Sequence, residues 1–393
     1  MSLSIGILTH STNPRGGVVH GMALAEALCD AGHDATLIAP DVTGAGFFRK
    51  PRCATHYIPA AQVPDLPALV ECRIGEISNA LRHMASFDVL HAQDPISANA
   101  LAQLVREGRL GGFARTVHHL DSFADPGVAA RQIQGLTTAT ELFTVSQLWQ
   151  GRILSDYGRH APVVRNGVDL ARFSPELEPH DHTLRARYGI AQNLRLVLAV
   201  GGIERRKNTW LLLEAFEALH REHPDLHLVI AGGASLLDHS AYCHLCDERI
   251  RQSGLAAAIT ITGTVADEDM PALYRQSSVL AYPSQTEGFG LCPLEALACG
   301  VPAVVSSVPP FTEHLQSYEA LWCQPDHPET LVCALRHALS AQSQTRFEIS
   351  GPATARRFDW HSVASRHLRA YRRLAALPHA GVPDSGALSP CLK

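Results

Sequence analysis

Short apolar runs, bounded by glycine, proline and polar residues, recur along the chain with helical patterning between them. Ser4-Ile-Gly-Ile-Leu-Thr9 is a near-continuous apolar run, which is how a strand buried on both faces reads. A helix is predicted from about Gly17 to Ala31, with Val18, Met22, Ala25 and Cys29 on one face. Gly32-His-Asp34 turns the chain into a second run, Ala35–Ala39, and further strands are predicted at Asp88–His91, Arg115–His118 and Leu142–Val145. The rhythm breaks near Asn166–Pro175, and a polar stretch extends to about Gly189. It resumes at Arg195–Val200 and continues with Leu228–Ala231, Ile259–Thr262, Val279–Tyr282 and Ala303–Val305. The helix after the first of these places Leu212, Phe216 and Leu219 on one face. Strands alternating with helices predict an α/β chain of two doubly wound parallel sheets, one over 1–175 and one over 190–357. A helical segment spans 358–377, with Ala364, Leu368 and Tyr371 on one face and basic residues around it, and a Gly/Pro/Ser-rich tail fills 378–393.

Composition narrows the function classes. A chain of 393 residues with 46% hydrophobic and 18% charged content has room for two globular cores. A formal net charge of -5 argues against nucleic acid as the main partner. The 10 cysteines are scattered through apolar runs without a disulfide rhythm, and no apolar run reaches the length of a membrane span. The chain opens directly into a strand, so a cytoplasmic protein is expected.

Ligands of doubly wound sheets bind at the carboxyl ends of the strands, so the loops there carry the candidate chemistry. In Ser284-Gln-Thr-Glu-Gly-Phe-Gly-Leu-Cys-Pro-Leu-Glu295, two carboxylates flank a glycine-rich turn between a strand and a helix with Pro293 near its first position. Glu287 is expected in the loop and Glu295 in the first helical turn. Gly288 and Gly290 let the backbone approach a ligand, and the helix N-terminus offers N–H groups to an anion. Carboxylates that accept hydroxyls beside a phosphate site suit a nucleotide sugar. An acid-rich loop without a ligand is the alternative.

This Glu-x7-Glu loop, with the Ala298–Val305 run behind it, resembles the retaining glycosyltransferases of glycosyltransferase family 4. The resemblance covers Ile5 to about Leu377 and implies the GT-B architecture of two facing Rossmann-like domains. It also implies a hinge at Asn166–Pro175 and a helix at 358–377 that crosses back to the first domain. It assigns Glu287 to a hydroxyl of the transferred sugar, Glu295 to the ribose, and the Gly288-Phe289-Gly290-Leu291 backbone to the sugar and diphosphate. Gly16 and Gly17 match the family's diphosphate-side Gly-Gly, although a tight turn also accounts for them. In Gly201-Gly-Ile-Glu-Arg-Arg-Lys-Asn208, Lys207 matches the diphosphate lysine, while Gly202 stands where the family has an arginine. Arg205 or Arg206 is expected to reach the same phosphates, a guanidinium fork being suited to them. Gly233 ends the next strand, and the Thr262-Gly263-Thr-Val265 loop is expected to meet the nucleobase. Tyr274, on the following helix, reads as core packing.

On the acceptor side the resemblance places His118 near the reaction centre, with His119 and Asp121 as weaker candidates. Asp94 is expected to orient an acceptor hydroxyl or to cap a helix. Arg49 and Lys50, in the loop Thr43–Arg52, are candidates for a binding lid or for a solvated basic surface. Cys243 and Cys246 form a C-x-x-C on a helix face, without the second cysteine pair of a zinc ribbon. The basic helix at 358–377 also fits contact with anionic lipid.

These readings converge on a retaining glycosyltransferase with no metal and no cofactor beyond its nucleotide-sugar co-substrate. It would move a hexose-type sugar from a UDP- or GDP-sugar to a hydroxyl of a small molecule or glycan. A nucleotide-sugar epimerase or a non-catalytic sugar-nucleotide-binding module on the same fold stays open.

Overall fold

The computed structural model describes residues 2–233 and 239–377; the tail predicted over 378–393 lies outside them. The strands are β1 Ser4–Leu8, β2 Asp34–Asp41, β3 Ala54–Pro59, β4 Val89–Ala92, β5 Ala114–Val117 and β6 Glu141–Thr144, then β7 Arg195–Val200, β8 Leu226–Ala231, β9 Ile259–Gly263, β10 Val279–Tyr282, β11 Ala303–Ser306 and β12 Leu321–Cys323. They form two 6-stranded sheets, ordered β3-β2-β1-β4-β5-β6 and β12-β11-β10-β7-β8-β9, and every strand pairing is parallel. Counted from its own first strand, each sheet has the order 3-2-1-4-5-6 of dinucleotide-binding folds. The order reverses between β1 and β4 in one sheet and between β7 and β10 in the other. Ile7 lies between Leu37 and His91 at the first reversal, and Val197 is opposite Val279 at the second. Chain connections leave in opposite directions there and open a crevice at the carboxyl ends.

Central strands are mostly buried, entirely so in Val279–Tyr282 and Ala303–Ser306, and the apolar runs that predict them follow from that. The two strands without such a run, β3 and β12, are each at a sheet edge. β3 has one buried residue, Ile58, so little apolar sequence is required of it.

The helix after β10 runs Leu291–Ala298, which puts Pro293 at its third residue and Glu295 at its fifth, just beyond the first turn where it was expected. Gly300 follows the end at φ +75°, the left-handed residue that commonly stops a helix. The last helix, Trp360–Ala375, is N-capped by Asp359, whose carboxylate accepts the Ser362 N–H at 2.9 Å. Its Val363, Ala364, Ala370, Tyr371 and Leu374 pack into the cluster that holds Ile5, Leu24 and Phe143. The last described helix therefore returns from the second sheet to the first. No described helix is long and apolar enough to cross a membrane.

Candidate donor and acceptor site

The two reversals supply the chemistry. In the second sheet, the loop after β7 carries Lys207 and the loop after β10 carries Glu287. Lys207 Nζ lies 2.7 Å from Glu287 Oε1 and 2.5 Å from the Tyr282 hydroxyl, above whose ring it sits. Arg206 adds a second cation, 3.2 Å from the same carboxylate oxygen and 2.8 Å from Glu204. Burial pushes the Glu287 carboxyl up, but Lys207 and Arg206 outweigh it and hold it below the usual range. A buried carboxylate thus stays ionised beside two cations.

Gly202 explains the departure from the family arginine. Its φ is +71°, and a Cβ there would lie 2.8 Å from the Gly233 carbonyl oxygen, so this backbone has no place for an arginine. Of the two substitutes, only Arg206 reaches the site. Arg205 is exposed and stacks its guanidinium 5.0 Å from the Tyr242 ring centroid, away from Glu287.

Glu295 is held by Tyr274, whose hydroxyl donates to Oε2 at 2.7 Å. Burial raises its pKa, against the pull of the Tyr274 hydrogen bond and of Arg172. Tyr274 is fully buried, as core packing requires, and it also aims this carboxylate. Gly288 lies against the first domain: a Cβ there would collide with the His118 carbonyl oxygen. Trp149, also from the first domain, donates its indole N–H to the Glu287 carbonyl at 3.1 Å. Gly290, at φ +88°, leads into the helix, Leu291 is its first residue, and Phe289 turns inward to stack on His314 at 4.5 Å.

In the first sheet, His118 follows β5, with Nε2 3.1 Å from Gln93 Oε1, and a Cβ on Gly17 would lie 3.4 Å from its ring. Burial, with His20 and other cation-forming neighbours, drives its pKa well down, so the imidazole is neutral. His20 meets it edge to face at 4.8 Å and is fixed by Asn166 at 2.7 Å. Behind them His91 and His367 pack with centroids 5.5 Å apart, and His91 is held by Tyr371 and Thr116 at 2.6 and 2.9 Å. Gly16 opens its helix, and a Cβ there would meet no described atom within 4 Å.

Asp94 is a helix cap, accepting from Ser97 N and Oγ at 2.8 and 2.9 Å, with His10 at 3.5 Å. His119 and Asp121 form a more exposed pair at 3.1 Å, and Asp121 is near enough to Arg206 to feel its charge. Arg49 is occupied: it makes two hydrogen bonds to the buried Glu26, at 2.6 and 2.9 Å, and lies 3.9 Å from Asp267 of the second domain. Lys50 is exposed. Gly233 abuts Gly202, Thr262 Oγ1 donates to the Gly263 carbonyl at 2.9 Å, and Val265 is buried below that loop. Cys243 donates to the Ile203 carbonyl at 3.4 Å, while burial raises the Cys246 thiol to about 11. Tyr282 ends a strand run visible in the sequence and Gln93 lies two residues past another, yet nothing marked their side chains as site residues. Trp149 and His20 had no signal at all, because their partners, Glu287 and Asn166, are 138 and 146 residues away.

Two parallel sheets of one strand order, with charged groups at one reversal and imidazoles at the other, have the two-domain architecture of GT-B glycosyltransferases. Residues 14–172 match the family model described as Glycosyltransferase Family 4, and residues 181–352 match Glycosyl transferases group 1. Together the two models span most of the chain, which is a glycosyltransferase of the GT-B, family 4 type. Phosphatidyl-myo-inositol mannosyltransferase of Mycobacterium tuberculosis is 27% identical over 392 residues, covering 94% of this chain and 96% of that protein. Sucrose-phosphate synthase from Thermosynechococcus elongatus superposes with a TM-score of 0.76 at 20% identity, covering 95% of this chain and 99% of that one. Anabaena HepE in complex with UDP-glucose gives 0.74 at 18% identity, over 94% and 100%.

Proposed function

We propose that the protein is a retaining transferase that moves a hexose-type sugar from a nucleoside-diphosphate donor, UDP in the first instance, to an acceptor hydroxyl. The observation that carries this is the ionised Glu287 pinned between Lys207 and Arg206 at the second reversal, with Glu295 held by Tyr274 on the next helix. Lys207 and Arg206 would stabilise the charge that develops on the leaving diphosphate as its bond to the sugar breaks. Glu287 would hold a sugar hydroxyl, and Glu295 the ribose. His118, neutral and fixed by Gln93, would face the sugar from the first domain. The HepE complex with UDP-glucose favours a uridine donor.

In this reading the acceptor oxygen attacks from the side the diphosphate leaves. The anomeric C–O bond to phosphate breaks, the new C–O bond forms, and a phosphate oxygen takes the acceptor proton. A double-displacement route would need a carboxylate on the opposite face of the sugar. Glu287 is ion-paired with two cations beside the proposed diphosphate, and Asp121 is engaged by His119. Proton NMR of the product formed with a defined donor should show the donor's anomeric configuration. An inverted product, or a sugar ester trapped on any carboxylate, would overturn the mechanism.

A further inference from the structure

The helix Gln147–Tyr157 in the first domain begins without a cap of its own. Ser146 occupies the cap position with extended backbone, φ -147° and ψ 160°, yet makes no capping hydrogen bond. Its buried Oγ has no partner among the described residues. A helix start leaves several backbone N–H groups unsatisfied, and serine is well suited to take one. Here they are satisfied from the other domain: Glu313 accepts the Gln147 N–H at 2.6 Å and the Leu148 N–H at 2.7 Å, one on each carboxylate oxygen. The next residue is Trp149, whose indole N–H holds the Glu287 carbonyl. One helical turn therefore joins two distant points of the second domain, the segment after β11 and the loop that carries the sugar-side carboxylate.

We infer that Glu313 is a latch between the domains and a positioning residue for Glu287. Its carboxylate, placed against the positive end of a helix dipole, favours the closed arrangement in which Trp149 reaches the Glu287 carbonyl and Gly288 seats on His118. When the domains part, the helix loses this cap, and Ser146 is positioned to replace it. Ser146 can take one N–H where Glu313 takes two, so the open state forfeits only part of the capping, and the latch favours closure while still breaking in each catalytic cycle. The role of Glu287 in this inference rests on the proposed function; the latch itself does not.

Hydrogen exchange of the full-length protein, without donor, tests the latch directly. In Glu313→Ala the Gln147 and Leu148 amides should exchange about 10- to 100-fold faster, the range expected for a lost charge-assisted hydrogen bond. The amides of residues 284–290 should speed up as well, because the donor loop loses its brace. Adding Ser146→Asp to that variant gives the helix its own cap, and should restore protection at 148, within reach of a capping side chain, but leave 284–290 fast. Glu313→Gln, which keeps one acceptor oxygen, should fall between wild type and Glu313→Ala and covers the case in which Glu313→Ala does not fold. Unchanged exchange at 284–290 in the Glu313 variants, or its restoration by Ser146→Asp, would reduce Glu313 to a helix cap and overturn the inference. In turnover, the Glu313 variants should lower kcat while leaving the donor KM within about threefold, because the diphosphate groups are untouched.

Discussion

The two domains share one strand order and furnish it in opposite ways. At the β7/β10 reversal the groups are charged: Lys207, Arg206, Glu204 and Glu287 meet within a few ångströms. At the β1/β4 reversal the buried groups are neutral imidazoles, His20, His91 and His118, backed by His367 from the returning helix. The same crevice can thus hold an anion on one side and present uncharged hydrogen-bonding groups on the other. Burial works in both places but toward different ends. In the second domain, cations keep a carboxylate ionised against the cost of burial. In the first, no carboxylate among the described residues touches these imidazoles, and burial keeps them neutral.

Lys207→Ala should break this division most severely. It removes the closer of two cations from a buried carboxylate; Arg206 remains, so the stability cost stays below the about 3–5 kcal/mol of a buried charge left unpaired. Turnover should fall on the order of 100- to 1000-fold. His118→Ala should leave UDP binding within a few fold, so calorimetric titration of UDP into both variants checks whether the anion site belongs to the second domain alone.

The imidazoles make the second prediction. His20 is pushed down to about 4 and His367 to about 3, both by burial first. Below pH 6.5 the unfolded chain binds protons at these groups before the folded one does, so stability rises with pH in this range and falls on acidification. The loss begins near pH 6.5 and runs to the folded value, and His20 alone accounts for roughly 3 kcal/mol. Urea melts from pH 7 to 4.5 should show this decline, and His20→Asn should flatten it. His314 in the second domain, at about 3, adds to the same slope.

The smallest effect separates neighbouring arginines. Arg206→Ala should lower turnover about 10- to 100-fold, the equivalent of 1.5–3 kcal/mol for a charge-assisted contact. Arg205→Ala should stay within about threefold, since its guanidinium lies over Tyr242. Equal, mild losses in steady-state assays would remove Arg206 from the phosphate side.

Sequence pattern carried most of the fold because the central strands of both sheets are buried on two faces and must be apolar. The edge strands Ala54–Pro59 and Leu321–Cys323 escaped it, being short or largely exposed on one side. Glu287, Glu295, Lys207 and His118 were legible as motif positions at strand ends. The choice of Arg206 over Arg205 was not, because it depends on which way a three-residue turn directs each side chain. Nor were Trp149, Gln93, His20 and Glu313, whose partners are set by how the sheets and domains meet.

The central claim is that the charged reversal of the second domain binds a nucleoside diphosphate through Lys207. Thermal melting of wild type and Lys207→Ala with rising UDP or UDP-glucose tests it most directly. The wild type should be stabilised saturably, by about 2.7 kcal/mol when ligand reaches 100 times its dissociation constant, while Lys207→Ala shows little or no shift. A wild type that no nucleoside diphosphate stabilises, or a Lys207→Ala variant stabilised as much as wild type, would contradict it.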